Sequence, residues 1–151
     1  MLKLHPQSGA VSATSKSTQC VILNIFEGEL DGVSKGVQAL NRVHNTLTEY
    51  NIPLSHTPVL YGDNLAVVDF IHGRGSAKGV RHMQLRLWYC REQNVMANVD
   101  VEHMAGAELV ADYLTKLADI DQHNLFTIEL LGLHLLGITD MFSYSPPSFQ
   151  V

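Results

Sequence analysis

Three carboxylate residues lie at the ends of predicted secondary-structure elements, although they are far apart in the sequence. Glu29 lies in F-E-G-E-L at a predicted helix start, Asp63 in L-Y-G-D-N at a strand end, and Asp112 in E-L-V-A-D-Y-L-T-K at another helix start. Only the fold can bring these residues together. Three or four converging carboxylates can bind Mg²⁺, and metal ions held in this way activate water for phosphodiester hydrolysis. The three residues are therefore candidate metal ligands.

The length and composition predict one globular domain. The chain has 151 residues, of which 46% are hydrophobic and 17% are charged, so it can bury a core. It contains no apolar run of about 18 residues, and its first residues lack the apolar stretch of a signal peptide. Cys20 and Cys90 form no disulfide framework or zinc motif, so we expect free thiols in a reducing compartment. These features predict an intracellular protein, cytoplasmic or nuclear, that is not secreted and has no membrane partner.

The net charge of −5 argues against strong nonspecific affinity for nucleic acid. The charge is unevenly distributed, however, because no acid lies between Asp69 and Glu92. Half of the ten Lys and Arg residues occupy this basic segment: Arg74, Lys78, Arg81, Arg86 and Arg91. On a helical wheel Arg81 and Arg86 flank opposite sides of the apolar face. The segment is therefore either a phosphate contact or a solvated face.

The hydrophobic pattern predicts that strands alternate with helices. Periods of two and 3.6 residues, bounded by Gly and Pro, give the limits of each element. The predicted strands span residues 10–14, 19–24, 58–62 and 97–103, and the predicted helices span residues 27–50, 63–72, 78–96, 108–117 and 122–136. This order predicts an α/β fold with a mixed sheet covered by helices.

Three glycines recur every fourth residue in the first predicted helix, at Gly28, Gly32 and Gly36. Each destabilises a helix interior by about 1 kcal/mol relative to Ala. Such a face is expected where a helix backbone packs very close to a sheet. We therefore predict that this face packs on the sheet beside Glu29.

Five sequence segments follow one another with the order and spacing of a known domain family. They are S-K-S-T-Q-C-V-I-L-N-I-F-E-G-E-L (15–30), N-I-P (51–53), Y-G-D-N with Ala66 (61–66), R-H-M-Q-L-R-L-W-Y-C-R-E (81–92) and V-A-D-Y-L-T-K (110–116). Between Ser8 and about Gly132 the chain resembles the ribonuclease H domain of copia-type (Pseudoviridae) retrotransposon Pol polyproteins.

The resemblance implies a ribonuclease H-like fold, a five-stranded mixed sheet flanked by helices, over residues 1–137, with a C-terminal tail over residues 138–151. It implies endonucleolytic hydrolysis of the RNA strand in RNA–DNA hybrids by two Mg²⁺ ions, or Mn²⁺, held by four acids. By position, the second, third and fourth acids are Glu29, Asp63 and Asp112. Glu27 also matches a family glutamate, but its place on the outer side of the helix makes it the weaker candidate.

The first acid of the family lies on a strand with the sequence S-D-A-D-W, and this chain begins after that strand. No Asp or Glu precedes Glu27. We therefore expect a fold without its first strand and a hydrolase activity that is weak or absent. The expected partners are an RNA–DNA hybrid and a reverse transcriptase domain upstream in a polyprotein.

The resemblance also extends to residues expected to bind nucleic acid. His82 matches a family histidine, and His103 precedes the loop in which some ribonuclease H enzymes carry a histidine for product release. Either histidine can instead be structural. The candidate contacts with the hybrid are Arg74, Lys78, Arg81, His82 and Arg86.

Two other readings of the sequence stay open. In one, the chain is a noncatalytic module of the same fold that binds nucleic acid or protein. In the other, an upstream segment or a neighbouring chain supplies the first strand and its Asp.

Overall fold

The computed structural model describes residues 10, 12–14, 21–75, 81–111 and 119–133. The chain divides into two compact units, one formed by residues 16–109 and the other by residues 1–15 with 110–151. In chain order the main elements are α1 (Ile25–Glu49), β1 (Val59–Gly62), α2 (Leu65–Ile71), α3 (Gln84–Val95), β2 (Asp100–His103) and α4 (Ile120–Leu131). Short 3₁₀ turns occupy Arg81–Met83 and Gly106–Glu108.

Helix α1 confirms the first predicted helix. Asn24 caps its N-terminus, since the Asn24 side-chain oxygen accepts a hydrogen bond from the Glu27 backbone N–H at 3.0 Å. The apolar residues Leu30, Val33 and Val37 are buried along one face. The helix ends where Asn51 adopts a positive φ of 56°. The helical period of the apolar residues therefore identified the face that packs.

Strands β1 and β2 form a parallel pair in which Leu60 lies opposite Val101. Within the described residues the sheet has these two strands, so the larger mixed sheet is not seen there. The strand predicted at residues 19–24 is wrong for residues 21–24, because Asn24 serves as the helix cap and the preceding residues pair with no strand. Val21 and Leu23, expected to be buried, are 79% and 72% exposed.

The core of the unit formed by residues 16–109 contains residues from α1, α2, α3 and the strand region around β2. Met83, Leu87 and Cys90 are buried on one side of the 3₁₀ turn and α3, as their spacing predicted. The predicted helix at residues 78–96 is not uniform, because residues 81–83 form the tighter turn before α3 begins. Cys90 is a free thiol, and burial raises its pKa to about 11.

The glycine face of α1 packs on the sheet at one of its three positions. A Cβ atom at Gly36 would lie 2.9 Å from Cδ1 of Leu60, and one at Gly28 would lie 3.6 Å from Cγ2 of Ile22. A Cβ atom at Gly32 would meet nothing within 4 Å. The predicted packing on the sheet is therefore wrong for Gly28 and Gly32, because successive positions four residues apart drift by about 40° around a helix. The close approach to β1 occurs at Gly36.

The second unit contains α4 and the described residues near the N-terminus. The backbone N–H of Ala10 donates to the carbonyl oxygen of Leu130 at 2.7 Å, and Ser12 forms an isolated bridge in place of the strand expected at residues 10–14. The sequence pattern predicts an apolar stripe on α4 formed by Leu125, Ile128, Leu131 or Gly132, and Leu135. Leu125 and Leu131 are 66% and 60% exposed, whereas Ile128 is half-buried and Gly132 is buried. Leu135 lies outside the described residues. The period of the pattern identified a helix face but could not show that this face is covered.

Several predicted segments fall partly or wholly outside the described residues. The helix predicted at residues 108–117 is described as far as residue 111, and the 3₁₀ turn Gly106–Glu108 occupies its start. The tail at residues 138–151 lies outside the described part. Among the helices that the structure describes, none combines the length and the apolar character needed to cross a membrane.

Candidate metal site and the basic segment

The contacts between α1 and β1 determine where Glu29 lies. Gly36 approaches Leu60, and the Cβ position of Gly62 lies 3.8 Å from Cγ2 of Val33. Residues nearer the start of α1 therefore lie nearer the carboxyl end of β1. Glu29 is one helical turn, about 6 Å, before Val33 on the same face. This geometry directs Glu29 toward the carboxyl end of β1.

Asp63 directly follows β1 at that same end. The strand register places Gly62 beside His103, so the carboxyl ends of β1 and β2 lie together. The Nε2 atom of His103 lies 3.1 Å from the carbonyl oxygen of Asp63, which can only accept a hydrogen bond, so Nε2 is the donor. Asn64 then caps α2 through a hydrogen bond from the Val67 backbone N–H. The turn that carries Asp63 is thus fixed on both sides.

The third candidate ligand is Asp112. Asp112 lies outside the described residues and belongs to the other unit, and Lys78 also lies outside them. Within the described part of the chain, no three or more His, Cys, Asp or Glu residues are grouped as a metal site. The structure therefore covers Glu29 and Asp63 of the proposed ligand set.

Glu27 occupies a different environment from the one expected. Its side chain is 1% exposed, so the outer position inferred from the sequence is wrong. The carboxylate accepts hydrogen bonds from the backbone N–H of Leu23 at 2.7 Å and from Nδ2 of Asn24 at 3.2 Å, and His82 Nε2 lies 3.1 Å away. The bond from Leu23 and the pairing with His82 hold the pKa of Glu27 below its usual value. Glu27 is a structural carboxylate at the start of α1.

Asp31 is a second buried acid, one turn further along α1, and sequence reasoning missed it. It is 1% exposed, and its carboxylate oxygens lie 2.6 Å from Lys35 Nζ and 3.3 Å from Arg86 Nε. Among the described residues, neither oxygen has a hydrogen-bond partner of good geometry. These distances still permit a strong Coulomb attraction, so the pairing is electrostatic rather than directional.

The two acids and their partners have matched spacing. Glu27 and Asp31 are four residues apart on α1, and His82 and Arg86 are four residues apart at the start of the facing helix. We call this arrangement the ion-pair ladder. The matched i, i+4 spacing was a signal in the sequence, but it required knowledge that α1 packs against α3.

Other cations of the basic segment also have partners within the protein. Arg74 pairs with Asp69 at 2.7 Å. Arg91 donates from Nε to the carbonyl oxygen of Phe70 at 2.9 Å, and its guanidinium lies over the rings of Phe70 and Trp88. The three arginines of the segment whose side chains the structure describes, Arg74, Arg86 and Arg91, therefore all have internal partners.

Comparison with known proteins gives one informative similarity. The chain is 30% identical over 112 residues to the Retrovirus-related Pol polyprotein from transposon RE2 of Arabidopsis thaliana, and the match covers 74% of the chain but 7% of that polyprotein. No family model matches the chain. No solved structure matches it either. The similarity supports an origin of this chain in a retrotransposon Pol polyprotein.

Proposed function

We propose that the chain is a ribonuclease H-like domain from a copia-type Pol polyprotein, with a hydrolytic activity toward RNA–DNA hybrids that is weak or absent in these 151 residues. The observation that carries the proposal is the geometry at the carboxyl edge of β1 and β2. There Asp63 follows β1, and α1 directs Glu29 toward the same edge. The similarity to a Pol polyprotein gives this arrangement its context.

The donors proposed for the site suit a hard cation. Glu29, Asp63 and Asp112 offer carboxylate oxygens, which are the ligands that Mg²⁺ and Mn²⁺ prefer. When bound, a pair of such ions activates water and stabilises the leaving oxygen. The residues of this chain orient the site: His103 fixes the Asp63 turn, and the packing of Val33 on Gly62 sets the position of Glu29. Glu29, Asp63 and Asp112 supply three of the four carboxylates that the resemblance to the family implies.

The proposed polymer partner is an RNA–DNA hybrid. Recognition of such a duplex relies on its shape, its phosphates and the RNA 2′-hydroxyls. The proposed contacts are Arg74, Lys78, Arg81, His82 and Arg86. His82 and Arg86 are partly exposed, at 45% and 37%, so each can reach phosphate only in competition with its buried acid. We therefore propose weak hybrid binding, and a reverse transcriptase domain of the same polyprotein as a second partner.

A noncatalytic binding module is the second candidate function. The ion-pair ladder favours this noncatalytic module. His82 and Arg86, two of the proposed phosphate contacts, are already paired with acids inside the fold. Completion of the site by an Asp-bearing strand from an upstream segment or another chain would separate the two candidates.

Cleavage of a labelled RNA–DNA hybrid with Mg²⁺ or Mn²⁺ tests the proposal. The 151-residue chain should cleave little, and a chain extended upstream by the Asp-bearing strand should cleave the RNA. Asp63→Asn should then abolish cleavage, whereas Asp69→Asn, at a surface ion pair, should not. Robust Asp63-dependent cleavage by the 151 residues alone would contradict the proposed weakness. An extended chain that folds and binds hybrid without cleaving it would favour the noncatalytic module.

A further inference from the structure

Helix α3 has a second apolar face, opposite to the face that packs in the core. Leu85, Trp88, Val95 and Met96 are 87%, 59%, 84% and 60% exposed. Together with the exposed Glu92 they form one stripe along the helix, with residues 85, 88, 92 and 95 spaced alternately by three and four. Such spacing is typical of a helix that packs against another helix. We call this surface the α3 stripe.

Trp88, the largest side chain of the α3 stripe, is held in place by its neighbours. The Arg91 guanidinium lies 5.6 Å from the indole ring centre and 5.2 Å from the ring centre of Phe70. Two nitrogens of Arg91 donate to the Phe70 carbonyl oxygen, at 2.9 and 2.5 Å. A Trp restrained in this way loses little conformational freedom on binding, and Trp is enriched among residues that dominate interface energies.

The α3 stripe is complementary to itself in one arrangement. In an antiparallel pair of α3 helices related by a two-fold axis at the level of Cys90, Leu85 faces Val95 of the second copy. Trp88 then faces Glu92 of the second copy, so that an indole N–H donor meets a carboxylate acceptor. We infer that the α3 stripe is a docking surface for the α3 stripe of a second copy of this chain.

The exposed area agrees with a weak dimer. Large exposed side chains of this kind each present on the order of 100–200 Å², so the α3 stripe offers roughly 500 Å² per copy. A two-fold pair would therefore bury about 1,000 Å², the lower limit for a specific interface. Glu92 lies within the stripe and Arg91 lies beside it over Trp88, so the charges nearly cancel. The apolar residues of the stripe therefore suit a protein surface better than a polyanion such as nucleic acid.

The first test measures the association of the complete chain as its concentration rises. Trp88 is the single tryptophan, so its fluorescence emission should shift to shorter wavelength as sedimentation shows dimers forming. Leu85→Lys should leave a monomer with red-shifted emission at every concentration. The control Ile52→Lys, at another exposed apolar residue, should dimerise like the parent. Dimers that persist in Leu85→Lys would overturn the inference, because another surface would then hold them.

The second test fixes the register of the two helices. In a Cys20→Ser background, Leu85→Cys combined with Val95→Cys should oxidise to a closed, disulfide-linked dimer. Either substitution alone should give no cross-link, because only the antiparallel arrangement brings residue 85 to residue 95. A double-cysteine chain that stays a reduced monomer under oxidising conditions would overturn the inference. A blue emission independent of concentration would also overturn it, by showing that the chain covers its own stripe. These outcomes do not depend on hybrid cleavage.

Discussion

Glu27 shows how the environment of one residue can differ from its apparent position on a helix. Its carboxylate is buried, yet it stays favourable as an anion because a backbone N–H, an amide and an imidazole surround it. The neighbouring Glu29 is only partly buried, and it lies one helical turn before Val33, which approaches Gly62 at the end of β1. Two glutamates two residues apart therefore have different roles, one structural and one proposed for metal binding.

The lowered pKa of Glu27 predicts an acid-dependent contribution to stability. The pKa is lower in the folded state than the usual value of 4.5. The stabilising contribution is therefore complete above pH 4.5 and is lost as the pH falls through the folded-state value. Denaturant unfolding measured from pH 7 to pH 3 should show this loss in the parent and a smaller loss in Glu27→Gln.

Glu49→Gln provides the control for this prediction, because Glu49 is an exposed acid at the end of α1. This substitution should not change the loss of stability below pH 4.5. If Glu27→Gln and the parent lose stability in parallel below pH 4.5, the hydrogen bonds of Glu27 do not stabilise the anion.

Arg86 offers a second prediction at the residue scale, concerning the buried acid Asp31. Arg86→Ala leaves Asp31 buried with Lys35 as its remaining cation, so the free energy of unfolding should fall by about 1–2 kcal/mol. Arg74→Ala removes the exposed pair with Asp69 and should lower it by less than about 0.5 kcal/mol. Denaturant titrations of both variants measure the difference.

A double-mutant cycle makes the result specific to the pair. Adding Asp31→Asn to Arg86→Ala should remove most of the additional loss, because the buried charge disappears with its partner. Equal effects of Arg74→Ala and Arg86→Ala would contradict the ion-pair ladder.

At the scale of elements, the sequence predicted individual faces better than their surroundings. The buried residues of α1 and α3 follow the helical period, and β1 lies within one residue of its predicted limits. The pattern failed at residues 21–24, which form no strand although the run is apolar. It also failed at Leu125 of α4, which is exposed. Periodicity depends on one segment alone, whereas strand pairing and burial depend on the segments around it.

For the candidate site, too, the sequence predicted local positions better than their surroundings. The position of Asp63 after β1 follows from the local pattern, but the burial of Glu27 and Asp31 depends on how α3 packs against α1. His82 and Arg86 looked like surface cations because a helical wheel does not show what the neighbouring helix carries. Long-range pairing of charges is therefore the part that sequence periodicity could not predict.

The two glycines of α1 that differ most in their surroundings provide a prediction for packing. Gly32 faces open space, so Gly32→Ala should stabilise the chain by roughly 0.5–1 kcal/mol through helix propensity. Gly32→Leu should also be tolerated, contrary to the expectation from sequence. Gly36→Leu should lower stability by about 1–3 kcal/mol, because Leu60 occupies the space beside Gly36. Thermal melts compare the variants.

Gly32→Leu serves here as the size-matched control for Gly36→Leu. If both variants melt together below the parent, the helix backbone rather than the contact with β1 is responsible. If Gly36→Leu melts with the parent, α1 does not approach β1 closely at this position.

For the whole molecule, the net charge and the internal ion pairs together predict how hybrid affinity depends on salt. If Arg81 contacts phosphate, Arg81→Ala should lower the slope of log affinity against log salt by about one. Arg86→Ala should leave the slope nearly unchanged, because its guanidinium is paired with Asp31. Filter binding or fluorescence anisotropy from about 20 to 200 mM salt measures the slopes.

The sequence alone would predict a loss of about two from the slope for the double substitution of Arg81 and Arg86. We expect about one. A full loss of two would mean that Arg86 leaves Asp31 to reach the phosphate backbone, and no loss at all would make the whole segment a solvated face.

The parallel register of β1 and β2 also determines the order in which this unit can fold. Each strand residue meets a partner 41 positions further along the chain, as Val59 meets Asp100. Closing a loop of this length opposes pairing by about 3 kcal/mol of chain entropy before any strand contact forms. The helices between and before the strands need no such closure, so they should form first and bring the strands together. In refolding followed by pulsed hydrogen exchange, the amide of Asp100, which donates to the carbonyl oxygen of Pro58 at 2.8 Å, should gain protection after that of Val37 on α1.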